Sequence, residues 1–140
     1  MIKVNFIKQF NIENIDLLVV IPSYKNKWVI MKNKKSDTYE FPSIEIENEE
    51  NLIDIASDVI EKQVGAKKYN LLKMGIFEIK YDEGYSKFGV LYYSIINDFI
   101  NNFNDNIEVI NKMPLKKYWT YPKIHPKLFE LKCASDYDEI

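Results

Sequence analysis

The sequence predicts an α+β domain: a mixed β-sheet sandwiched between helices in an α/β/α arrangement. Three observations carry that reading. Residues 17–21 form an unbroken aliphatic run, Leu-Leu-Val-Val-Ile, as expected of a central strand covered on both faces. Residues 51–64 place Leu52, Ile55, Ala56, Val59, Ile60 and Val64 on one broad helical face and stop at Gly65. Two long strand-like stretches, 71–80 and 88–96, flank a turn containing Gly84. Strands, one central helix, more strands and a final helix imply layers around a single core.

Taken in order, residues 1–9 alternate Ile2, Val4 and Phe6 against Lys3, Asn5 and Lys8, a strand with one buried face. Residues 11–16 are polar enough for a connection. After the 17–21 strand, Pro22 and Ser23 should end regular pairing, and Lys25-Asn26-Lys27 should turn the chain into a second strand at 28–32. Residues 33–37 form a basic and polar loop, and 38–41 a short strand that Pro42 stops. An acidic turn follows, with Glu45, Glu47, Glu49 and Glu50 ahead of the helix and Asn48 as its expected cap. Residues 67–70 and 97–106 read as loops, 107–111 as a brief strand broken by Met113-Pro114, and 124–134 as a terminal helix. The acidic end, 136–140, reads as a frayed tail.

Length and composition narrow the function classes. A chain of 140 residues with 46% hydrophobic and 14% aromatic content supports one globular domain over residues 1–140. Net charge −2 gives no general pull toward duplex nucleic acid or anionic membrane. Every positive side chain is lysine, so the planar guanidinium fork that grips phosphate bidentately is absent. A lone cysteine, Cys133, excludes an internal disulfide and fits a reducing cytoplasm, the expected location. No apolar run reaches the ~20 residues that span a bilayer, and the first residues lack the charged and apolar blocks of a signal peptide.

The stretch from Thr38-Tyr39-Glu40-Phe41-Pro42 through the acidic turn to Gly65-Ala66 resembles the Nudix hydrolase superfamily. The family's box reads G-x₅-E-x₇-R-E-U-x-E-E-x-G-U, with U aliphatic. Laid on this chain, Glu50, Ile60 and Gly65-Ala66 agree with it. Ile44 stands for the glycine, Asp58-Val59 for the Arg-Glu pair, and Lys62-Gln63 for the Glu-Glu pair. The likeness extends to Lys27-Trp28-Val29, Phe88-Gly89-Val90-Leu91-Tyr92-Tyr93 and Trp119-Thr120-Tyr121-Pro122. These segments look like one bacterial branch, which contains nucleoside triphosphate or 8-oxo-dGTP diphosphatases.

That resemblance implies hydrolysis of diphosphate-linked substrates, with helix glutamates holding Mg²⁺ or Mn²⁺. Here the degenerate box positions Ile44, Asp58, Val59, Lys62 and Gln63 supply no such set on the helix face. The expected outcome is a Nudix-like protein with weak or lost catalysis and a retained pocket for a nucleotide-like small molecule. Two alternatives stay open. One is an active Mg²⁺-dependent pyrophosphohydrolase whose ligands have moved to Glu40, Glu47, Glu50 and Asp58. The other is a non-catalytic interaction module; a separate, structural reading has a homodimer partner covering the cleft. Glu47 and Glu50 are the residual catalytic candidates. Lys32, Lys34, Glu40, Glu83, Trp119 and Tyr121 are the ligand-binding candidates, the aromatics as stacking surfaces and the lysines as phosphate contacts. His125 reads as structural, since no second histidine or cysteine cluster accompanies it.

Overall fold

The computed structural model describes residues 1–8, 14–47, 51–100 and 105–138, of which residues 136–138 are described through their backbone alone. Nine strands among these residues join one mixed sheet: β1 (Lys3–Ile7), β2 (Leu17–Tyr24), β3 (Lys27–Asn33), β4 (Thr38–Glu40), β5 (Ser43–Glu45), β6 (Ala66–Tyr69), β7 (Leu72–Lys80), β8 (Ser86–Phe99) and β9 (Ile107–Ile110). Their main order is β1-β7-β8-β2-β3-β4, with β5 on β2, β6 on β8 and β9 on β3. Helix α1 (Leu52–Val59) continues as a π-helical turn, Ile60–Val64, and α2 (His125–Asp138) closes the described chain.

The aliphatic run in β2 lies at the centre, as its composition requires. Strand side chains alternate between faces, so Leu18 and Val20 enter the layer beneath α1 while Val19 and Ile21 enter the layer beneath α2. All four are fully buried. Each contributes on the order of 1.5–3 kcal/mol of transfer free energy. Ala56, Val59, Ile60 and Val64 seal the first layer; Leu128, with Ile124 and Phe129, packs on the second. Gly65 ends the box helix at φ +83°, a conformation open to glycine. Gly89 is needed for a different reason: a Cβ there would lie 2.2 Å from the Phe77 ring on the neighbouring strand.

Several expectations are corrected. Strand β2 runs through Pro22 and Ser23 to Tyr24, in parallel register with Ser94, Ile95 and Ile96 of β8. Proline is tolerated because of where its nitrogen faces. The Val20 N–H donates to the Pro42 carbonyl at 3.0 Å. The nitrogen two residues on faces the same side, where pairing with β3 begins only at Ser23. Lys25 and Asn26 then turn the hairpin with φ of 50° and 64°, which matches the twist of the strands they join. Residues 67–69 of the expected 67–70 loop belong to β6, which pairs with the far end of β8, and β8 reaches Phe99 instead of stopping at 96. Ser43–Glu45 pairs with Leu17–Val19, so the start of the acidic turn is a strand. Asn51 caps α1, its side chain accepting from the Ile53 N–H at 3.2 Å, while Asn48, the expected cap, lies outside the described residues. Helix α2 carries the chain to Asp138; residues 139–140 lie outside.

Candidate functional site

The site is built around the break between β4 and β5. Phe41 and Pro42 leave the ladder, so their backbone groups need other partners. The Phe41 N–H donates to His125 Nδ1 at 3.0 Å, and the Pro42 carbonyl takes the Val20 N–H. Gln63 closes the set from the other layer. Its Nε2 donates to the Ser43 carbonyl at 2.9 Å, and its Oε1 accepts the Ser43 N–H at 3.4 Å. One side chain from each helical layer therefore grips the same three-residue segment.

His125 is 3% exposed and packs beside Phe41, Trp119 and Tyr121, with ring centroids 5.7, 6.3 and 5.0 Å away. Burial pushes its pKa from 6.5 down to about 3. Accepting a hydrogen bond at Nδ1 acts in the same sense, since that nitrogen must stay unprotonated. The ring is thus a neutral acceptor, and its expected structural role is what the geometry provides.

In front of this segment lies a cleft of about 730 Å³. One wall is the β5 turn, Ser43 to Glu47; the opposite wall is Thr120 to His125. Asp16 and Leu17 contribute at the start of β2, Ile79 and Tyr81 at the end of β7, and Lys87 on β8. Asp16 ties the strands together here: its carboxylate accepts the Phe88 N–H at 2.9 Å and its carbonyl accepts the Ile46 N–H at 2.9 Å. Tyr81 stacks on Tyr85 with centroids 4.7 Å apart, and partial burial raises its phenol above the usual range. The lining is apolar with both charge signs at the rim: Asp16, Glu45 and Glu47 against Lys87 and Lys123.

The candidate residues distribute unevenly over this surface. Ile44, Glu47 and Tyr121 line the cleft, Ile44 being 42% exposed and Tyr121 47%. Val59 does not face it: the side chain is 2% exposed within the α1 core. Lys62 points to solvent and sits 3.8 Å from Asp58, itself exposed. Val59, Lys62 and Gln63 therefore diverge rather than share one face. The helix widens into i→i+5 bonding at Ile60, which changes the angular step that ordinary α spacing assumes.

Lys32, in β3, and Lys34, in the β3–β4 turn, do not belong to the cleft lining. Lys32 binds Asp37 at 2.9 Å, a hydrogen bond that raises its pKa, and Lys34 binds Asp105 at 2.7 Å, lowering that of the aspartate. Trp119 is 3% exposed, and its Nε1–H donates to the Pro114 carbonyl at 3.1 Å, so its ring is packing and not a stacking surface. Glu40 is half-buried in β4 opposite Met31, and Glu83 is exposed in the β7–β8 turn; neither lines the cleft. Glu50 lies outside the described residues. Asp16, Tyr81, Lys87 and Lys123 were not singled out from the sequence. No local motif marks them, because strand pairing and the Thr120–His125 segment bring them together.

Comparison of this architecture with solved structures decides the fold. A Bacillus subtilis pyrophosphohydrolase, BsRppH, in a single-substitution mutant form, superposes with a TM-score of 0.74 at 18% identity, covering 97% of this chain and 90% of its own. A NUDIX hydrolase from Nitrosomonas europaea gives 0.64 at 11% identity, with 90% of each chain covered. The NUDIX domain of Shewanella oneidensis NrtR, complexed with ADP ribose, gives 0.62 at 10% identity, covering 89% of this chain and 90% of that one. The chain has the Nudix fold. No protein-family model matches the sequence, and no curated protein sequence matches it.

Within the Nudix fold, the divalent ion implied by the box can be tested against the residues present. Val59 offers no donor atom, and Lys62 carries the wrong charge. The Gln63 amide oxygen is neutral and already accepts the Ser43 N–H. These three side chains do not fit Mg²⁺ or Mn²⁺, which take anionic oxygen ligands. Among the described residues, no three His, Cys, Asp or Glu side chains gather as a metal site requires.

Proposed function

We propose that this Nudix-fold chain binds a nucleotide-like small molecule in the cleft between the β5 turn and Thr120–His125, and hydrolyses it weakly or not at all. The observation that carries the reading is the Gln63–Ser43 clamp. A box position that would present a carboxylate instead spends its amide on the backbone of the turn. The cleft nevertheless keeps features suited to such a ligand: Tyr121 as an exposed ring, Lys87 and Lys123 as cations for phosphate oxygens, and apolar walls. The ADP-ribose complex of a structural neighbour supports a ligand of this class.

Calorimetric titration with AMP, ADP, ATP and ADP-ribose tests the proposal, with and without Mg²⁺. Binding that survives chelation and weakens by about tenfold or more in Lys87→Glu/Lys123→Glu fits it, a loss of ~1.4 kcal/mol or more. No heat and no thermal stabilisation at millimolar nucleotide would leave the interaction module as the better reading. Rapid metal-dependent turnover lost in Glu47→Gln would instead establish the displaced-ligand enzyme.

A further inference from the structure

The two ends of the sheet are finished differently. At one end, β4 is covered: Tyr39 bridges Trp119, and the Thr120 N–H donates to the Tyr39 carbonyl at 2.9 Å. The Thr38 and Thr120 hydroxyls meet at 2.6 Å. At the other end, β1 pairs with β7 from Lys3↔Lys80 to Ile7↔Ile76 and with no other strand among the described residues. Its outer backbone N–H and C=O groups therefore face away from the ladder.

A groove of about 410 Å³ lies beside this edge, touched by residues 1–5 in succession. Lys3, Val4 and Asn5 belong to β1. Successive strand residues point to opposite faces, so a groove touching all three runs along the backbone edge and not over one face. Its far wall comes from the segment before α2 and from the first turns of α2. Lys3, Lys116, Lys123 and Lys127 line it against a single acid, Glu130, which lies 3.7 Å from Lys127. All four lysines are exposed. Four cations against one anion give a local excess of three positive charges in a chain whose net charge is −2.

We infer that the open edge of β1 and its lysine-lined groove take an extended acidic segment of a partner protein as an added strand. Strand addition is how an unpaired sheet edge recognises a peptide: main-chain hydrogen bonds hold it while flanking side chains choose its sequence. The lysines make that choice. They repel the like-charged edge of a second copy, which blunts self-association, and attract alternating Asp or Glu. A nucleic acid would satisfy the charges but lacks the regularly spaced N–H and C=O groups that pair with a strand's outward edge, so the exposed edge favours peptide. Lys123 lines both this groove and the cleft, whereas Lys3, Lys116 and Lys127 line the groove alone, so the inference is tested at Lys116 and Lys127.

The test uses the full chain, labelled with ¹⁵N, and a fluorescent peptide of alternating sequence Asp-Val-Glu-Val-Asp-Val-Glu. The expected result is saturable binding that slows amide exchange within Lys3–Ile7 and weakens about tenfold between ~50 mM and ~500 mM KCl. Lys116→Glu/Lys127→Glu, both exposed positions outside the cleft, should weaken it by a similar factor while leaving nucleotide binding and the melting temperature unchanged. A peptide of the same sequence with every backbone amide N-methylated should not bind, because it has no N–H to donate to the edge on either side. Three results would overturn the inference. These are equal affinity for the N-methylated peptide, binding of poly(U) with the same strength and the same amide protection, and no peptide binding up to about 1 mM.

Discussion

The two side chains that hold the Phe41–Ser43 break do the same task with different chemistry. Gln63, from the α1 layer, is half-buried and non-titrating, and makes two bonds to one residue's backbone at 2.9 and 3.4 Å. His125, from the α2 layer, is buried and titratable, and makes one bond at 3.0 Å. The first depends on the helix that carries it being seated; the second depends on a proton being absent. A cleft wall fixed in this way is stable near neutral pH but has a weak side in acid.

The largest expected effect removes the seat of the first clamp. Ile60 is fully buried beneath the π-helical turn, three residues before Gln63. Ile60→Ala should cost ~2–5 kcal/mol by denaturant unfolding. It should also speed amide exchange at Ser43 more than at Phe41. A loss below about 0.5 kcal/mol would mean that the helix is held by something other than this face.

Acid should break the second clamp next. The folded pKa of His125 is depressed from 6.5 to about 3. Above pH 6.5 both folded and unfolded states are neutral, and the clamp's stability is fully present. As pH falls from 6.5 toward 3, the unfolded chain gains a proton that the folded chain refuses, so stability is lost at up to ~1.4 kcal/mol per pH unit. By pH 4.5 the wild type should have lost ~2–3 kcal/mol more than His125→Asn, which has no proton to gain. Parallel pH profiles for the two proteins would show that His125 is not the acid-sensitive group.

The smallest effect sharpens the contrast. Gln63→Ala should cost ~1–2 kcal/mol with no pH dependence of its own, because two partners on Ser43 lose an uncharged side chain. Gln63→Glu should behave oppositely to His125. Only the protonated carboxyl can donate to the Ser43 carbonyl, so its folded pKa rises. Its stability is then present below the unfolded value near 4.3 and lost as pH rises through the folded one. A Gln63→Glu protein as stable at pH 7 as at pH 4, relative to wild type, would mean that the Ser43 carbonyl is not its partner.

Much of the frame is legible in the chain because its signals are local. The aliphatic run of β2, the apolar face of the box helix, Gly65 and the turn at Lys25-Asn26 each act within a few residues. Strands β5 and β6 escaped because their evidence lies in partners far along the chain, Leu17–Val19 for one and Ile96–Phe99 for the other. Pro22 misled for a similar reason: only the neighbouring strand's stagger shows that its nitrogen needs no acceptor. The cleft was half legible. Ile44, Glu47 and Tyr121 follow from motif spacing, but Lys32 and Lys34 pair with local aspartates, and Trp119 is drawn into the core. Lys87 and Lys123 reach the same cleft from segments 36 residues apart, as their numbering shows, and no pattern in either segment announces it. Lys62 and Gln63 illustrate the limit of spacing arguments, since the π-helical turn that carries them changes the step that spacing assumes. Val59, in the α-helix before it, is buried as its place on the apolar face predicts.

The most direct test of the account is recovery of nucleotide after binding. Protein in excess over radiolabelled ATP or ADP-ribose, with saturating Mg²⁺ or Mn²⁺, is held through many binding lifetimes and quenched, and the nucleotide is separated. The expected result is that the label returns intact, at the same level with metal as with chelator. Metal-dependent conversion to cleaved products within a single turnover, abolished by Glu47→Gln, would contradict it.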